Sequence, residues 1–146
     1  MQKQNILIFE NRNQLFKFLI DDFNLYIIDE KYDSVYFGNF YIVLSANEFL
    51  LRYVNDRSFL TIEISSMTEP SNWYALSFVR DLINNVAINS NERELDNSTR
   101  IEGLNLFLKN DFDRIRELFN DNNYSNTKKI LDDELKRQFN LRFPPR

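Results

Sequence analysis

The sequence predicts an α+β fold. An antiparallel meander sheet of about four strands is packed with an N-terminal helix and three to four C-terminal helices. Three observations predict it. Apolar residues recur at helical spacing near the start, they form strand-like runs between Phe40 and Ile64, the last of them alternating, and helical spacing returns after Trp73. The 146 residues show no repeat and no Pro/Gly/Ser-rich linker, so they form one domain, 1–146, able to bury a core.

The first helix covers Asn11 to Phe23, with Leu15, Phe16, Leu19, Ile20 and Phe23 on one face and Asn11 or Asn13 as cap. Ile6 to Phe9 either extends that helix or forms a short strand. Leu25 to Ile28 reads as a first strand, Asp29 to Asp33 as a polar connection, and Val35 to Phe37 as strand-like. Gly38-Asn39 marks a turn or bulge. Phe40 to Leu44 is apolar at every position, the pattern of a strand covered on both faces. Ser45-Ala46-Asn47 turns the chain.

In the next strand Phe49, Leu51 and Tyr53 share a face, and after it Leu60, Ile62 and Ile64 share another. Asn55-Asp56 is the hairpin signal between them. An even loop length joins the two apolar faces, with Leu51 opposite Leu60 or, with two more loop residues, opposite Ile62; an odd length pairs apolar with polar residues. Arg52 is placed over Phe59 on the less apolar face.

Ser71 or Asn72 caps a helix from Trp73 to Ile83, with Trp73 as a core anchor. Asn84 to Thr99 is a polar loop. A helix then runs from about Thr99 to Lys109, and Asn110 or Asp111 caps another carrying Phe112, Ile115, Leu118 and Phe119. The last helix is capped by Ser125 or Asn126 and ends near Gln138, with Ile130, Leu131, Leu135 and Phe139 inward.

Composition closes many functional classes. The chain has no His and no Cys, so Cys/His zinc sites and Cys-His or Ser-His nucleophiles are impossible. Its two glycines, Gly38 and Gly103, are too few for a Walker loop or a dinucleotide fingerprint. Carboxylate hydrolysis and Mg²⁺-dependent phosphoryl chemistry stay formally open. A net charge of −4 disfavours nucleic acid and acidic membranes and suits a basic protein partner. No apolar run approaches the roughly 20 residues that span a bilayer, and the N-terminus lacks the core of a secretion signal. The expected compartment is the cytoplasm.

Acidic residues cluster at Asp21-Asp22, Asp29-Glu30-Asp33, Asp111/Asp113 and Asp132-Asp133-Glu134. Adjacent acids on a helix point in different directions, and Asp111 and Asp113 suit a helix N-terminus. The segment before the meander differs, because it sets tyrosines among its acids. Asp29, Glu30, Tyr32, Asp33 and Tyr36 are therefore the candidate partner-binding residues, weighed against a solvated loop. No catalytic, cofactor or metal residues are assigned.

The chain resembles a loose group of small bacterial proteins. The resemblance lies in Phe37-Gly38-Asn39, Leu51-Arg52-Tyr53-Val54, Asp56-Arg57, the strand Leu60 to Ile64, Trp73 and Val79-Arg80. It continues in Leu106 to Asn110, Leu118-Phe119 and Tyr124 to Thr127. Proteins of this look are similar to immunity proteins encoded beside polymorphic toxins, which neutralise a toxin by binding it. The resemblance implies a non-enzymatic binding protein whose partner is a toxin domain, and the negative charge is compatible with a basic one. The alternatives are a regulatory or scaffold subunit of a larger complex and a carboxylate/Mg-dependent hydrolase.

Overall fold

The computed structural model describes residues 2–35, 38–88 and 91–144. Two helices open the chain, α1 (Gln2–Glu10) and α2 (Asn13–Phe23). Ile6 to Phe9 thus belongs to a separate helix rather than to an extension of α2 or a strand. Helix α2 ends at Asn24, whose φ of 61° is left-handed and whose N–H bonds back to the Leu19 carbonyl. Asn tolerates this conformation better than most side chains, so the turn into the sheet is sharp.

Among the described residues, five strands form one sheet in the order β1 (Tyr26–Asp33), β2 (Asn39–Ser45), β3 (Phe49–Asp56), β4 (Phe59–Ser66) and β5 (Tyr74–Ala75). Every neighbouring pair is antiparallel. The predicted meander is therefore present, with one short strand more than expected. Asp29 to Asp33 is not a connection but the second half of β1, paired with β2 as far as Asp33 opposite Asn39. This strand lies at the sheet edge and is largely exposed, so apolar patterning does not reveal it. Gly38 turns the chain into β2 at φ 69°, and a Cβ there would come within 3.0 Å of the Asn5 Cβ. Only glycine fits both demands.

The β3–β4 loop has the even length expected, but its register differs from both alternatives. Asp56 lies opposite Phe59, and Leu51 opposite Ile64. The turn residues are Arg57 and Ser58, with φ of 52° and 67°, the backbone of a primed hairpin turn. Asn39 Oδ1 accepts the Arg57 N–H at 2.8 Å and holds the turn from the neighbouring strand.

Cross-strand rows assign the two faces. Ile42, Tyr53 and Ile62 form one row; Leu44, Leu51 and Ile64 form the next. All six are 0% exposed, and the helices gather on their side. The Phe16 ring lies 5.3 Å from Tyr53, and Phe49 packs near Phe112 and Phe119. The Tyr53 hydroxyl donates to Asn105 Oδ1 at 2.6 Å, while Asn105 Nδ2 donates to the Leu15 carbonyl at 2.8 Å. This bridge joins the sheet and α2 to the helix that carries Asn105. Helices thus cover one face rather than both, although Val43 on the other side is still buried by its neighbours.

After β5 comes α3 (Leu76–Ile83), without a side-chain cap. Trp73 does not open this helix; it is half-buried and stands just before β5. Asn72 instead donates to the hydroxyls of Tyr74 and Tyr124. The segment read as a polar loop contains buried Ile88 and a short 3-10 turn, Asn91–Glu94. One helix, α4 (Asn97–Phe119), replaces the two expected, with a kink at Asp111 where the second was to begin. Asp96 caps it by accepting the Thr99 N–H at 2.7 Å. Helix α5 (Tyr124–Arg142) starts earlier and runs further than predicted, and it has no side-chain cap. Leu131 is buried and Leu135 packs against the core, but Ile130 and Phe139 face solvent.

Candidate functional site

With the helices on one side, the other face of the sheet is open. Alternation along each strand decides what it displays. Asp29 pairs with Val43, Val43 with Arg52, and Arg52 with Glu63, which in turn pairs with Ala75. The next row holds Lys31, Tyr41, Val54 and Thr61. The row beyond it begins with Asp33 and Asn39. These are open-face positions, and they come from all five strands of the sheet.

The centre of this face is fastened in place. Arg52 Nε donates to Glu63 Oε1 at 2.8 Å, directly across the β3–β4 pair. The same guanidinium lies 4.1 Å over the Trp73 ring, so it stacks on Trp73 rather than on Phe59. Phe59 is covered by Arg100 at 3.9 Å. The Tyr41 hydroxyl donates to Asp29 Oδ2 at 3.1 Å. That carboxylate acceptor raises the pKa of the phenol above its ordinary value, so Tyr41 stays protonated and keeps its donor in place. Lys31, Asp33, Asn39, Tyr41, Val54 and Asp56 line a shallow cleft of about 390 Å³ beside this centre.

The structure divides the candidate partner-binding residues. Asp29 and Asp33 lie on the open face. Glu30 and Tyr32, one residue out of phase, belong to the helix-covered side. Glu30 receives both Nε and Nη2 of Arg12, at 2.7 and 3.0 Å. The Tyr32 ring stands 5.0 Å from Phe9. Both are used to tie α1 and α2 to the edge strand. Tyr36 lies outside the described residues. The residues missed at the centre are Trp73, Arg52 and Tyr41. Their signal was the opposite charge of Arg52 and Glu63, which face each other only in the register set by the Arg57-Ser58 turn.

The acids do not converge. Among the described residues no group of three or more Asp and Glu is arranged to hold a metal ion. No helix among them is long and apolar enough to cross a membrane. Compared with known protein families, with curated proteins and with solved structures, the chain shows no significant match. Fold and surface together define an α+β protein with an open-faced antiparallel sheet.

Proposed function

We propose that this chain is a cytoplasmic protein-binding module of the immunity type, which neutralises a toxin by binding it directly through the open face of its sheet. The observation that carries the proposal is the centre of that face. Trp, Tyr and Arg are the side chains that dominate protein–protein binding energy, and they do so when central and rigid. Here Trp73, Arg52 and Tyr41 sit together with their side chains already engaged, so binding loses little rotamer freedom. Acidic side chains surround them, as at a polar rim. Glu63, Asp29 and Asp33 give this rim a negative field that speeds the approach of a basic toxin domain. Of the candidate residues Asp29, Glu30, Tyr32 and Asp33, only Asp29 and Asp33 stand on this face.

The test is co-expression with the product of a neighbouring toxin gene, followed by co-purification and survival. The expected result is a stable complex and rescued growth. Trp73→Ala is expected to weaken the complex about 30-fold or more, the scale of a central aromatic anchor. If the neighbouring product neither binds nor is neutralised, the proposal is wrong. A carboxylate hydrolase draws no support from the dispersed acids.

A further inference from the structure

The sheet has two outer edges, and the fold treats them differently. On the β4 side, β5 pairs only with Glu63 and Ile64. Nearer the hairpin, side chains stand in for a strand: Asn97 Oδ1 accepts the Leu60 N–H at 2.9 Å, and Arg100 donates to the Leu60 carbonyl at 2.9 Å. On the other side, β1 pairs with β2 alone. Among the described residues, nothing outside the sheet bonds to the backbone of residues 26–32. Tyr26, Ile27 and Ile28 are exposed there in succession. An edge of this length, with backbone donors and acceptors turned outward, is a template for another strand.

Charge decides which strand it accepts. Along β1 the order is Asp29, Glu30, Lys31. A second copy joined about a two-fold axis runs antiparallel, and residues equally far from the axis on the two copies face each other. An axis at Glu30 sets Asp29 against Lys31 twice, on the open face, and sets Ile28 against Tyr32. Glu30 then meets its own copy, but each Glu30 already holds Nε and Nη2 of its own Arg12, at 2.7 and 3.0 Å. The neighbouring axes are worse. One at Asp29 opposes two aspartates, one at Lys31 opposes two lysines, and one at Ile28 falls on the bulge between Ile27 and Asp29.

We propose that two copies of this chain pair edge to edge through β1, about a two-fold axis at Glu30, into one continuous antiparallel sheet. The axis stands perpendicular to the sheet, so the helices of both copies lie on one side and both open faces on the other. Asp29 and Lys31 pair across the seam twice. Strand pairing alone buries less than about 1,200 Å², so the dimer is weak and exchanges with monomer.

The experiment is sedimentation equilibrium of the full chain from about 10 μM to 1 mM, the range of weak association. The mean mass is expected to rise from that of one chain toward that of two. Lys31→Asp and Asp29→Lys each set like charges at both crossings, and each is expected to weaken self-association about tenfold or more. Mixed in equal amounts, the two variants regain opposite charges at both crossings and are expected to associate as the parent does. Only a seam that brings position 29 against position 31 gives that rescue. Asp29→Lys also removes the acceptor of the Tyr41 hydroxyl. If that variant does not fold, hydrogen exchange decides: the amides of residues 28–32 should slow with concentration in the parent and not in Lys31→Asp. A parent that stays monomeric throughout overturns the proposal. So does self-association that either folded variant leaves unchanged, which would place the contact elsewhere, as at the exposed Phe139, Leu141 and Phe143. Folded variants that fail to associate when mixed overturn it too. The mass is read without any toxin, so the outcome is independent of the binding role proposed above.

Discussion

Arg100 is 2% exposed, and the nearby charges of Glu92 and Asp96 favour its charged form. Its guanidinium donates to the carbonyls of Leu60 at 2.9 Å, Glu92 at 2.8 Å and Leu95, and to Asn97 Oδ1 at 2.8 Å, over the ring of Phe59. Burial lowers its pKa below the ordinary arginine value. One side chain therefore fastens the 3-10 turn and the start of α4 to β4, and Arg80 on α3 grips the same turn through Glu92. Arg100→Ala leaves several buried acceptors without donors and should cost about 3 kcal/mol or more in urea denaturation. Arg100→Lys should recover little of it, because a point charge cannot span that fork. Four residues earlier, the Thr99 N–H holds the Asp96 carboxyl below the usual carboxylate range. A depressed folded pKa gives stability that is present above the unfolded value, about 4, and lost as pH falls through the folded one. Asp96→Asn still caps the helix. It should match the parent near neutrality and lose less stability below about pH 4, as denaturation curves at two pH values would show.

Among the elements, α5 departs most clearly from its expected packing. Its apolar stripe was read as Ile130, Leu131, Leu135 and Phe139, yet Leu131 is 0% exposed while Phe139 is 60% exposed, its ring tilted against Phe143 at 5.0 Å. Leu131→Ala should cost about 3 kcal/mol through the cavity it leaves, whereas Phe139→Ala should change stability by less than about 0.5 kcal/mol. Thermal unfolding of the two variants separates them. Periodicity locates such a stripe but not the point at which a helix runs past its core. The same limit appears at Asp111. Asn110-Asp111 looks like the start of a helix, and packing of Phe107, Leu108 and Phe112 carries α4 through it as a kink. In the β3–β4 hairpin, parity was legible because a slip by one residue would turn every apolar side chain to water. Register was not, because Arg57-Ser58 carries neither Gly nor Asn to announce a primed turn. Neither expected register sets Arg52 opposite Glu63, so that pair, and with it the centre of the candidate site, stayed hidden. The polar half of β1 was hidden for another reason, since both sides of an edge strand reach water. Once it is a strand, the separation of Asp29 and Asp33 from Glu30 and Tyr32 follows from alternation alone.

For the whole molecule, the open face and the covered face have different duties. The covered face holds the core, and the open face carries Trp73, Arg52 and Tyr41 with their acidic rim. Binding through that rim should be fast at low ionic strength. Raising salt from about 0.05 to 0.5 M should slow association much more than it speeds dissociation, because screening acts on the approaching charges. Stopped-flow or surface kinetics with the cognate partner would check this, and a salt-independent association rate would contradict it. The sheet order itself has a temporal consequence. Each strand pairs with the next one along the chain, so the ribbon can zip from short loop closures alone. The helices that seal its inner side come largely from residues after 96. On the ribosome, a nascent chain can therefore pair its strands before the core residues of α4 and α5 have been synthesised. The helices arriving later would lock strands already paired.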